Sequence, residues 1–165
     1  MLASTTSRKP RPPAQRDRGR GRRTDIVRDH QLPTERDLQT IVTDPATPVA
    51  LRAIVQSLRE GDARLTDLLA LNVSDLDHAS REANLTDQAK EPHRALPFSQ
   101  EATALLREAS DGHAGGPLFH APTGQRHGRE TVTHQMQATT GFTPHEIRAA
   151  GRKQRHPAPP APEEQ

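Results

Sequence analysis

Apolar side chains at Leu38, Ile41 and Val42 follow the i, i+3, i+4 spacing of one helical face, and Thr34 stands where it can cap that helix. Turn residues at Asp44-Pro45 and Thr47-Pro48 interrupt the pattern. Leu51, Ile54, Val55 and Leu58 then resume it, predicting a second helix that ends before Gly61. A third helix is expected over 64–71, with Leu65, Leu68 and Leu69 on its buried stripe. The period is then lost, and residues 81–86 and 94–98 read as two short antiparallel strands joined by a polar connection that holds Lys90. Ser99 can cap a helix carrying Ala102, Leu105 and Leu106, which stops at Asp111-Gly112. Loop and turn are expected from Gly115 to Gly124, followed by a polar helix over 130–138 with Val132 and Met136 inward. Thr143 and Glu146 form a capping box with Pro144 at the first helical position, and no helix can continue past Pro157. The pattern predicts a mainly helical α+β fold, with a small antiparallel hairpin or sheet packed on a helical bundle.

Periodicity is absent at both ends, which sets the expected boundaries. Residues 1–30 are expected to be a disordered basic arm, 31–151 the folded domain, and 152–165 a disordered Pro-rich tail. The first 30 residues hold nine Arg or Lys against Asp17, Asp25 and Asp29, a net +6, which leaves −4 for the rest from a total of +2. Such an arm can neutralise nucleic-acid phosphates without reading sequence, or serve as a passive solvated leader. The acidic balance of the body argues against a strong DNA grip by the domain alone.

With 31 % hydrophobic and 2 % aromatic residues, the core must be built from Leu, Val, Ile and Ala, with Phe98, Phe119 and Phe142 as its large fillers. Such a core is small and marginally stable. The absence of cysteine excludes disulfides and thiolate metal sites and fits a reducing cytoplasm. No apolar run approaches the roughly 18 residues of a membrane span, so no membrane partner is expected. His113, His120, His127 and His134 recur every seven residues, but Gly and Pro intervene, so no helical ligand face forms and no metal or other cofactor is expected.

Two short stretches carry the candidate chemistry. Arg64 heads the third helix, while His145 and Arg148 stand one turn apart near the start of the last. Taken singly, each reads as a solvated charge on an amphipathic helix. Together they could surround one anion, because arginine's planar fork donates two parallel hydrogen bonds to a phosphate.

The run Gly61-Asp-Ala-Arg-Leu-Thr-Asp-Leu-Leu-Ala-Leu-Asn-Val-Ser-Asp-Leu-Asp77, the Pro-Leu-Phe at 117–119 and the stretch Thr143-Pro-His-Glu-Ile-Arg148 resemble the two arginine boxes of the tyrosine recombinase, or phage integrase, family over residues 31–150. Arg64, Asp67, Leu68, Leu71, Asp75 and Asp77 fall on the first box, with Asp67 in place of the usual glutamate. The resemblance implies that Arg64 and Arg148 hold a scissile phosphate, that His145 donates a hydrogen bond or moves a proton, and that Lys90 is the general acid toward the leaving 5′ hydroxyl. It implies double-stranded DNA as partner, other recombinase protomers as possible co-partners, and neither cofactor nor small-molecule substrate. The family continues with a Leu-Gly-His segment and a nucleophilic tyrosine, whereas this sequence contains no tyrosine. The expectation is an integrase-like domain, truncated and inactive alone. The alternatives are a non-enzymatic, basic-armed DNA-associated protein or a decayed integrase fragment.

Overall fold

A computed structural model of the chain describes residues 31–61, 63–85, 94–113 and 115–157. The chain divides after His30, and the fold is that of the unit beginning at Gln31. The expected arm at 1–30, the connection holding Lys90, and residues 158–165 lie outside the described residues. In order, the elements are α1 (Glu35–Thr43), α2 (Val49–Glu60), α3 (Leu65–Ala70), a 3-10 turn (Val73–Asp75), β1 (Leu76–Asp77), β2 (Glu82–Leu85), β3 (Arg94–Pro97), α4 (Gln100–Ser110), α5 (Arg129–Thr140) and α6 (Pro144–Arg155).

The axis of the core is α2. Leu51, Ala53, Ile54, Val55, Gln56, Ser57 and Leu58 are all buried, so this helix is enclosed on most of its circumference rather than along one stripe. It packs against α1, α3, α4 and α6. Ser57 is tolerated inside because its hydroxyl donates to the Ala53 carbonyl at 2.8 Å. At the C-terminal end of α2, Arg59 pairs with Glu35 and donates to Gln39 of α1 at 3.2 Å. Arg52 reaches Glu108 of α4 at 3.3 Å.

The expected hairpin is part of a three-stranded antiparallel sheet in the order β1-β2-β3. Ala83 pairs with Leu76 on one side and Leu96 on the other. Ala83, Leu85 and Leu96 face the core, as the period of two requires. Pro97 lacks a ladder donor and lies on the edge strand, the position that tolerates it. The missed strand, β1, has only two residues, too few to show any periodicity.

Two further expectations change. Phe98 and Phe119 are buried core residues, but Phe142 is only partly buried against the core. The last helix does not stop at residue 151: Arg152, Lys153, Gln154 and Arg155 continue it. These side chains are good helix formers, the positive charges of Arg152, Lys153 and Arg155 suit a helix C-terminus, and Arg155 donates to the backbone carbonyls of Arg59 and Gly61. Four residues assigned to the tail therefore belong to the fold.

Candidate functional site

The first wall of the site begins where α2 ends. Ala63 is buried, and Arg64 occupies the N-cap of α3 in extended conformation. Arginine is a poor N-cap and a cation is disfavoured at a helix start. The helix closes without help from its side chain, because the Asp67 carboxylate accepts from the Arg64 backbone N–H at 2.9 Å. Leu65, Leu68 and Leu69 anchor the other face, so the Arg64 side chain is left exposed.

The same device recurs along the segment. Asp75 accepts from the Asn72 N–H at 2.8 Å. Asp77 accepts from Ala79 at 2.9 Å and Ser80 at 3.2 Å, closing the turn into β2, where Arg81 adopts φ 58°. The Ser80 backbone bond leads the interactions that hold the Asp77 carboxyl below the usual aspartate range. All three aspartates of the first box are thus engaged by backbone N–H groups.

Arg126 fixes the far end of α3. Its guanidinium donates to the Leu69 carbonyl at 2.5 Å, to that of Leu71 at 3.2 Å and to the Asn72 side chain at 2.8 Å, satisfying acceptors left open where a helix ends. Leu118 N–H to Leu71 and Val73 N–H to Gly116, each 2.9 Å, tie the same two segments together. The loop that leads into α5 is therefore held against α3.

The second wall is the start of α6. Thr143 accepts from the Glu146 N–H at 3.3 Å, and Glu146 accepts from the Thr143 N–H at 2.7 Å, completing the expected capping box. Pro144, Ile147, Ala150 and Gly151 are buried, which turns His145 outward and leaves Arg148 half-buried beside it.

Arg64, His145 and Arg148 line one open concavity of about 360 Å³. Leu58 and Leu65 contribute apolar lining, and Thr66, Arg129 and Thr133 complete the polar wall. No carboxylate lies among the described lining residues. Neither the Arg64 nor the Arg129 side chain forms a hydrogen bond or ion pair among the described residues. Three arginines and a histidine from three helices thus meet in a hollow suited to an anion with several acceptor oxygens. The α3 helix has only six residues, so the cations rather than its dipole supply the field there.

Arg129 and Thr133 were not singled out in the sequence, because the polar helix was expected to begin at Glu130. One signal was available: Arg129, like Arg64, puts a cation at a helix start, where local preference opposes it. Lys90 lies outside the described residues. His113 and His120 do meet, with Nε2 atoms 2.9 Å apart, but no group of three or more metal-ligating side chains is found among the described residues. No described helix is long and apolar enough to cross a membrane.

No protein-family model matches the chain, and no curated protein matches it significantly. Its fold is similar to that of solved recombinases. A crystal structure of XerA recombinase matches with a TM-score of 0.67 and 18 % identity, over 75 % of this chain and 49 % of that one. The Tn1549 transposon integrase, solved with circular intermediate DNA, matches with a TM-score of 0.51 and 18 % identity, over 73 % of this chain and 51 % of that one. An R225K form of the same integrase, also with circular intermediate DNA, gives 0.51 and 17 % over 79 % and 55 %. The chain spans about half the length of these structures, and across that span it has a tyrosine-recombinase-like catalytic-domain fold.

Proposed function

We propose that this recombinase-like domain holds the phosphodiester backbone of double-stranded DNA in the hollow between α3, α5 and α6. Arg64 and Arg148 clamp non-bridging oxygens of one phosphate, and His145 adds a hydrogen bond to it. Lys90, which follows β2 in the sequence, is the proposed proton donor to a leaving 5′ hydroxyl. The observation that carries this reading is the meeting of Arg64, His145 and Arg148 in one hollow with no described carboxylate among its lining. Fixed cations of this kind stabilise charge on a phosphate without themselves breaking a bond.

Strand cleavage by this fold requires a nucleophile, and the sequence contains no tyrosine. The chain alone is therefore proposed to bind DNA and not to cut it. The same observation favours a second reading, a non-enzymatic DNA-associated protein in which the basic arm supplies most of the affinity. Duplex binding by Arg64→Ala, Arg148→Ala and an arm deletion separates the two. Loss in the point variants supports the clamp, whereas unchanged affinity in both, with loss only on arm deletion, supports the second reading.

A further inference from the structure

The hollow does not end at Arg148. A second concavity of about 470 Å³ follows the exposed face of α5, lined by Arg129, Glu130, Thr133, His134 and Gln137. Arg129 and Thr133 line both concavities, so the two adjoin at these side chains. We infer that they form one track for a DNA strand, in which the phosphate next to the one clamped by Arg64 and Arg148 rests on the Arg129 guanidinium and the Thr133 hydroxyl. This rests on the clamp proposed above and extends it from one phosphate to two.

Three features support the assignment. Arg129 and Thr133 are one turn apart, so both project from the same side of α5. Arg129 sits at the first residue of α5 with no acidic partner among the described residues, although the start of a helix disfavours a cation. The face also has length: from Arg129 to Gln137 the helix rises about 12 Å, against one charge per strand for about every 3.4 Å of duplex axis. A strand leaving the clamp can therefore stay in contact with α5. Glu130 lines the second concavity but not the first. Its carboxylate repels phosphate, which confines the strand to the Arg129 and Thr133 side.

The test measures binding of the full chain to a short duplex across a salt series. Arg129→Ala is expected to make log K against log [salt] shallower by about 0.9, one phosphate contact. Arg129→Lys should keep the slope, and Glu130→Gln should tighten binding. Position is then read by replacing duplex phosphates one at a time with neutral methylphosphonate. Arg129→Ala should become insensitive to a replacement adjacent to the one that Arg148→Ala no longer senses. If both variants lose sensitivity at the same phosphate, or Arg129→Ala loses it at none, the two-phosphate track is wrong. If Arg64→Ala and Arg148→Ala weaken binding while Arg129→Ala matches the parent chain, only the track fails. If none of the three has an effect, the clamp fails too.

Discussion

Gly151 of α6 lies so close to Arg59 of α2 that a β carbon built on it would sit 2.1 Å from the Arg59 carbonyl oxygen. The obstacle is backbone, so no side-chain rotation relieves it. Gly151→Ala is expected to destabilise the domain by about 1–3 kcal/mol of overpacking, offset by about 1 kcal/mol of improved helix propensity. Because α6 carries His145 and Arg148, duplex affinity should fall along with the thermal midpoint. A variant with unchanged melting and binding would show that the two helices can part without consequence.

Arg126 ties the end of α3 to the loop before α5 through bonds to two carbonyls and one side-chain amide. Arg126→Ala should cost about 1.5–3 kcal/mol, the range for hydrogen bonds to a charged group. Arg126→Lys should rescue only part of this, since an ammonium lacks the planar fork. Urea unfolding measures the loss, and amide exchange at Leu118 should accelerate in both variants.

Asp37 and Asp77 make stability depend on acid. Side-chain and backbone hydrogen bonds from Thr34 hold Asp37 below its ordinary value of 3.8, and backbone bonds from Ser80 and Ala79 do so for Asp77. The folded state therefore resists protonation that the unfolded state accepts. This contribution is present above 3.8 and is lost as pH falls through the depressed folded values. Unfolding midpoints taken down a pH series should drop in this acid window, and less steeply in Asp37→Asn and Asp77→Asn. Identical slopes in parent and variants would remove these two groups as the cause.

Deleting residues 1–30 removes nine Arg or Lys and a net +6. If the arm is a DNA tether, the salt dependence of duplex binding should flatten by up to about 8 in slope, roughly 0.9 for each phosphate released. An unchanged slope would identify the arm as a passive leader.

On a nicked or suicide duplex the chain should form no SDS-resistant protein–DNA adduct, since no tyrosine is present and the Thr143 hydroxyl of the hollow, which donates to the Glu146 carboxylate at 2.9 Å, is committed to capping α6. Arg148→Ala should then lower affinity by at least about tenfold, the loss of a charge-assisted bond worth about 1.5 kcal/mol, without altering an activity that is already nil. An adduct formed by this chain alone would point to an unrecognised nucleophile.

Helices were legible where capping and period agreed. Thr34, Ser99 and Thr143 each cap the helix expected of them, and Leu65, Leu68, Leu69, Val132 and Met136 are buried as their spacing requires. The strand β1 was not legible, because two residues cannot display a period. The helix limit at Pro157 was legible, but the boundary between fold and tail at 151 was not, because nothing local separates the basic helix formers at 152–155 from the Pro-rich stretch after them. Within the hollow, Arg64, His145 and Arg148 were expected together from the resemblance of their two stretches to the arginine boxes, and they line one concavity. Arg129 could not be placed with them, since its proximity depends on how the loop anchored by Arg126 returns the chain to α3.

Arg64 serves two masters within one residue. Its amide is part of the scaffold, gripped by the Asp67 carboxylate, while its guanidinium has no described partner inside the protein. The hollow is therefore a socket whose fittings can be exchanged without rebuilding the wall. A neutral or acidic side chain at position 64 should leave the architecture standing, and with it the possibility of giving this scaffold a different ligand.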